Sequence, residues 1–215
     1  MPRLIDLALE KLTNMILDMA NLSEKAIIDA LEIYRTPIEP HAFSYDHVFQ
    51  ISEQLRILRE ETSGLAIETL ARYQPLAGDL RFINSCLDIA YDLARFGRYA
   101  YDIALTPYWL GDVKECDIEL PMSMADKALA MIRKSMDAFK TRDAALAKTL
   151  PDDDDEVDAM YKSTILTLLD DNDISNKCAL ITTLLVRHIE RIADHACYIA
   201  DAVVYIVDGE KLGLH

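Results

Sequence analysis

The stretch "HIERIADHACYIADA", residues 188–202, has a partner 96 residues earlier, "DLARFGRYAYDIALT", residues 92–106. Arg191, Ala196, Ile199 and Ala200 repeat as Arg95, Ala100, Ile103 and Ala104. Through the later copy runs a stripe, Leu185, Ile189, Ile192, Ala196 and Ile199, whose 4-3-4-3 spacing keeps one face of a helix turned inward. The same offset gives Ile89, Leu93, Phe96, Ala100 and Ile103, apolar at every position. Off the stripe the copies part: Glu190 becomes Ala94 and Asp194 becomes Arg98. The chain uses one helix twice and carries the acid pair in only one copy.

Working outward, the apolar period is helical along the whole chain. A long amphipathic stretch covers 3–34, with Ile5, Leu9, Leu12, Ile16 and Met19 on one stripe. "RTPIEPH" (35–41) interrupts it, because proline lacks the donor a helix interior needs. A second helix is expected over 42–72 and a break at "YQPLAGD" (73–79). A third helix is expected over 76–105, ending near Pro107, with a linker over 107–121. The plan then recurs: a helix over 122–148, a turn at Leu150-Pro151, a helix beginning in "DDDDEVDAMYKSTILTLL", a turn at 170–175, and a last helix over 174–207 that stops before Gly209. "MANLSEKAI" (19–27) and "MADKALAMI" (124–132) extend the repeat to the first helix of each half. The expected fold is all-α, two tandem antiparallel three-helix bundles, the first over residues 1–110 and the second over 118–215.

Composition agrees. Glycine and proline are sparse, at 6 and 7 of 215 residues, which disfavours a turn-rich β protein. The formal charge of −15 makes nucleic acid an unsuitable partner, since phosphate backbones are bound by clustered Lys and Arg. No run of about 18 apolar residues is present, so no membrane-spanning helix is expected, and the N-terminal "MPRLIDLALEKL" has acids within its apolar stretch, unlike a signal peptide. The four cysteines, Cys86, Cys116, Cys178 and Cys197, show no paired spacing. They read as free thiols in a reducing cytoplasm, with no disulfide framework or zinc ribbon.

Glu190 and Asp194, four apart, share a helix face that continues through Cys197 to Asp201, and Asp154 and Asp158 repeat the spacing on the fifth helix. Two such pairs on neighbouring helices would gather oxygen ligands of the kind hard cations take. The alternative is ordinary: acids at 152–155 suit a helix start, and Arg187 or Arg191 can pair with Glu190 on a solvated face. His188 and His195 lie on a different stripe, where hydrogen-bonded or solvated histidines are the common case and metal ligation the rarer one. No glycine-rich phosphate loop and no Ser or Cys nucleophile beside a His–acid pair is visible, so no catalytic residue is assigned.

These residues together resemble the PhoU family. "ERIAD" (190–194) is similar to that family's Glu-Arg-Ile-Gly-Asp signature, with Ala193 in the glycine position; "RYQPLAGDLR" (72–81) resembles its Gln-Pro and Asp-Leu-Arg turn; "DDEVDAMY" (154–161) resembles the acid pair of its fifth helix; "YIVDGEKLGLH" (205–215) is similar to its closing tail. The resemblance covers nearly the whole chain. It implies a PhoU-like six-helix architecture and metal ions, Fe, Mn, Mg or Zn, held by acids on the bundle surface. On this chain those metal ligands are Asp154, Asp158, Glu190 and Asp194. In the first repeat the matching positions are Glu53, Ile57, Ala94 and Arg98, so one of four keeps an acid, and Arg98 is expected to repel a cation and to bridge to a residual acid such as Glu53.

The resemblance further implies a non-enzymatic, cytoplasmic regulator of phosphate uptake and phosphate homeostasis. Its partners would be a phosphate ABC transporter, through the ATPase subunit, and a phosphate-sensing histidine kinase where one exists. It would be peripheral to the membrane through its partner; a homodimer is expected separately, from the long helical faces that two bundles expose. Two other readings stand beside it: a helical-bundle metalloenzyme, disfavoured because no Glu is followed three residues later by His, and a metal-free helical interaction module. Tyr101, Tyr108 and Trp109 are expected to cover the seam between the bundles rather than form an exposed patch.

Overall fold

The computed structural model describes residues 3–35 and 45–213. Its helices are α1 (Leu4–Arg35), α2 (Tyr45–Tyr73), α3 (Ala77–Leu110), α4 (Glu119–Thr141), the single turn α5 (Ala144–Ala147), α6 (Leu150–Asp170) and α7 (Asn176–Asp208). α1, α2 and α3 pack on one another; α4, α6 and α7 do the same with α5 against them; α3 and α7 lie together as the seam. The fold is two tandem three-helix bundles. The break expected at 36–41 and the helix start expected at 42–44 lie outside the described residues.

Both predicted stripes are core. Ile89, Leu93, Phe96, Ala100 and Ile103 are fully buried, as are Leu185, Ala196 and Ile199, and Ile189 and Ile192 are 1% exposed. Ile5, Leu12, Ile16 and Met19 are buried too, with Leu9 packed against them. Burying an aliphatic side chain of this size contributes roughly 1.5–3 kcal/mol. Gly97 sits where α2 crosses α3: a Cβ there would lie 2.5 Å from Leu55 Cδ1 and 3.3 Å from the Ser52 Cα.

Three boundaries differ from the sequence expectation. α3 runs past Pro107 to Leu110. The carbonyl that proline leaves without its helical donor, that of Ile103, accepts instead from the Tyr34 hydroxyl at 2.9 Å. The linker is correspondingly short, residues 111–118. The helix expected over 122–148 starts earlier, at Glu119, and breaks at Arg142, whose φ of 58° is left-handed. Arg142 is held there with its guanidinium 4.0 Å over the Phe82 ring, and α5 follows. Pro151 marks no turn: it occupies the first turn of α6, where a missing N–H costs nothing. Gly209, at φ 82°, ends α7 as expected, its N–H donating to the Tyr205 carbonyl.

Two expectations fail on tertiary grounds. Cys116 and Cys178 are joined in a disulfide across 62 residues, with Cα atoms 5.2 Å apart, while Cys86 and Cys197 are buried free thiols. No local spacing announces such a pair; the antiparallel packing of α3 and α7 creates it by carrying the linker to the start of α7. Tyr108 and Trp109 do not cover the seam: they are 63% and 72% exposed in the last turn of α3. Tyr101 alone is half-buried, packed against Phe49.

Candidate functional site

Asp154 and Asp158 on α6 face Glu190 and Asp194 on α7, because α6 lies antiparallel along α7 through the turn at 171–175. Their mutual influence shows in their acidities. The Asp154 carboxyl is pushed up to about 6, by burial first and then by the charges of Asp194, Asp158 and Glu190. Burial and Asp194 also raise Glu190, against the pull of Arg187 and Arg191. Burial and Asp158 raise Asp194, against Arg191. The two predicted pairs therefore lie near enough for their charges to act on one another.

Basic side chains already occupy three of the four. Arg187 donates from one nitrogen to both oxygens of Glu190, at 2.8 and 2.9 Å. Arg191 reaches Asp194 at 3.3 Å, and Lys162 reaches Asp158 at 3.0 Å. Asp154 instead lies beside the buried Cys197, whose thiol is pushed up by burial and by the surrounding acids, so it is an inert sulfur rather than a nucleophile. Among the described residues no three His, Cys, Asp or Glu side chains converge as the ligands of one ion do. In donor type the site fits a hard cation: it is all oxygen, negatively charged and half-buried. To take one, the carboxylates must turn away from Lys162, Arg187 and Arg191. Asp201, the last acid of the predicted face, is used elsewhere, accepting from the Leu212 N–H.

The matching face of the first bundle is differently built. Arg98 does not bridge to Glu53. It pairs with Asp102 on its own helix at 3.1 Å, and Glu53 pairs with Arg56 at 3.0 Å. Each charge has a partner one turn away, which is closer to hand than a partner across helices. Ile57 is 46% exposed there.

Sequence reasoning missed the polar centre of the seam. His195 is buried, its Nδ1 2.8 Å from Asp92 Oδ1 and its Nε2 3.2 Å from the Tyr99 hydroxyl, which accepts from Arg95 at 2.8 Å. Phe96, Tyr91 and Tyr198 rings enclose it. His188 packs against the Tyr99 ring with its Nδ1 buried and unpartnered, and burial lowers its basicity. Both histidines are thus seam residues. The 96-residue offset pairs Asp92 with His188 and Tyr99 with His195, and the antiparallel seam sets Asp92 on His195 and Tyr99 beside His188.

The PhoU domain matches the chain twice, at residues 16–106 and 122–203. The chain belongs to the PhoU family. It is 30% identical over 212 residues to the Clostridium acetobutylicum phosphate-specific transport system accessory protein PhoU homolog, covering 96% of this chain and 95% of that one. It is 32% identical to the Pseudomonas putida homolog, covering 94% and 79%. The crystal structure of PhoU from Pseudomonas aeruginosa superposes with a TM-score of 0.84 at 29% identity, over 95% of this chain and 99% of that one. The two family matches fall on the two bundles, and within this PhoU chain only the second keeps the paired acids. Among the described residues no helix is long and apolar enough to cross a membrane.

Proposed function

We propose that the chain is an accessory protein of phosphate transport that restrains phosphate uptake by contact, docking on the cytoplasmic face of a phosphate ABC transporter and, where present, on a phosphate-sensing kinase. The observation that carries this reading is the end-to-end match to proteins of that name, spanning both repeats. Asp154, Asp158, Glu190 and Asp194 hold a divalent or trivalent metal ion whose charge relieves the repulsion that pushes Asp154 up. The metal supplies a fixed charge and shape to the docking face; the chain's own residues supply the ligands. Contact rather than turnover is the reading that the match to proteins named as transport accessories supports. In cells deleted for the chain, phosphate uptake is expected to escape its normal restraint and to regain it on complementation. Unchanged uptake overturns the proposal.

The paired Arg187, Arg191 and Lys162 favour a second reading, a metal-free face neutralised by its own cations. Elemental analysis of the purified protein beside the Glu190→Ala/Asp194→Ala variant separates the two. Bound metal in the parent, lost in the variant, supports the metal site. Metal in neither, after reloading, leaves the salt-bridged face.

A further inference from the structure

The bond between Cys116 and Cys178 ties two functionally different parts of the chain. Cys116 lies in the 111–118 linker, the covalent joint between the bundles, held in a bend by its own N–H donating to the Val113 carbonyl at 2.9 Å. Cys178 lies in the first turn of α7, the helix that carries Glu190 and Asp194, with its N–H donating to Ser175 Oγ at 3.2 Å.

The two sulfurs are chemically unequal. Cys178 sits among the free N–H groups at the start of a 33-residue helix, beside Lys177. Such a position stabilises a thiolate. Lys177 also acts on Asp112 of the linker, which holds Lys114 at 3.1 Å. Cys116 has no helix start behind it and is the more exposed, 8% against 4%. Attack on Cys116 is favoured because it lets the better leaving group, Cys178, depart. Cys86 and Cys197 lie within helices, away from any helix start, and burial raises each thiol, Cys86 to about 12.

Among the described residues the Cys116–Cys178 bond is the one covalent cross-link on the linker, whose other ties are local hydrogen bonds and two apolar contacts. Besides Cys116 its apolar anchors are Val113, buried, and Ile118, partly buried at the start of α4. The bundles themselves are held by the α3–α7 seam, whose contacts 85–202, 92–195 and 99–188 step antiparallel in sevens and do not depend on the bond. Continuing that register brings the end of α3, with the exposed Trp109, to the start of α7. Breaking the bond would free the joint without dissolving either bundle.

We infer that Cys116 and Cys178 form a reversible thiol–disulfide site, opened by a dithiol reductant and closed by a disulfide oxidant, which locks and releases the linker between the bundles. In opening, one thiolate of the dithiol attacks Cys116 Sγ, the S–S bond breaks, and Cys178 leaves as thiolate and takes a proton. The dithiol's second thiolate then attacks its own sulfur in the mixed disulfide, and Cys116 leaves as a thiol. Two electrons pass to the protein pair, and the reductant ends as a disulfide. Closing with glutathione disulfide runs the same exchange backwards and yields two glutathiones.

The test uses the full chain, treated under native conditions with glutathione disulfide or with dithiothreitol, then alkylated with iodoacetamide and mapped by peptide mass. The oxidised protein should yield a linked Cys116–Cys178 peptide pair with Cys86 and Cys197 as free thiols. Dithiothreitol should release both without loss of helical circular dichroism. Cys178 should then alkylate at least ~10-fold faster than Cys86. Reduction should shift the emission of Trp109, the single tryptophan, in the parent and not in Cys116→Ser. Glutathione adducts in place of the pair, a bond that resists dithiothreitol in the folded chain, or Cys178 alkylating no faster than Cys86 each overturn the inference.

Discussion

α3 and α7 carry matching apolar stripes in two settings. Both bury one apolar stripe completely, and each lies along the other at the seam. On the outward face they diverge: α7 presents Glu190 and Asp194 towards Asp154 and Asp158, while α3 presents Ala94 and an Arg98 satisfied by Asp102. Packing tolerates little change, because a lost methylene in a close-packed core leaves a void. An outward carboxylate that serves no packing contact can be replaced at small cost. The difference teaches that core and site in this fold are separable within one helix.

The largest expected effect tests the shared core. Phe96→Ala should cost about 3–5 kcal/mol and its counterpart Ile192→Ala about 2–5 kcal/mol, read from urea midpoints. A shift under ~1 kcal/mol in one alone would show that the two copies do not share the seam equally.

Next is the helix crossing. Gly97→Ala should lose ~1–3 kcal/mol, since its Cβ meets Leu55 and the Ser52 backbone. Ala193→Gly, its counterpart in α7, meets no clash and should lose about 1–2 kcal/mol through helix propensity and the loss of a buried methyl, with no backbone shift where α2 crosses α3. Equal losses would remove this asymmetry between the bundles.

A smaller effect is electrostatic. A carboxyl whose folded pKa is raised contributes stability below its unfolded pKa and loses it as pH rises through the folded value. For Asp154 that window runs from 3.8 to about 6. In chelator, stability should therefore fall between those limits. Asp154→Asn should raise stability at pH 7 by roughly 1 kcal/mol, allowing for solvent screening of a half-buried group. A destabilised variant with a flat pH profile in chelator would count against a repulsive acid cluster.

The smallest belongs to the first bundle: Arg98→Ala, losing an exposed pair to Asp102, should change stability by no more than about 0.5 kcal/mol. Arg187→Ala, by contrast, should raise the Glu190 pKa further, visible in a carboxylate titration followed by NMR.

Much of this was legible beforehand. The repeat, the two stripes and the acid pairs at i,i+4 are periodic, and periodicity in sequence is periodicity in space along a helix. What was not legible depends on pairs far apart. Tyr34 rescues the Ile103 carbonyl and lets α3 run through Pro107. Arg142 breaks α4 where Phe82 offers a ring. Arg98 turns to Asp102 rather than to Glu53, a choice among acids that spacing left open.

The sequence by itself determined the helices, their inward faces and which bundle carries the acids, because those are set by local order and side-chain chemistry. Only the tertiary structure decided that Asp92, Tyr99 and His195 meet at the seam and that Cys116 finds Cys178. Both follow from the antiparallel register of α3 on α7. That register is chosen by burial across the whole seam and written in no single segment.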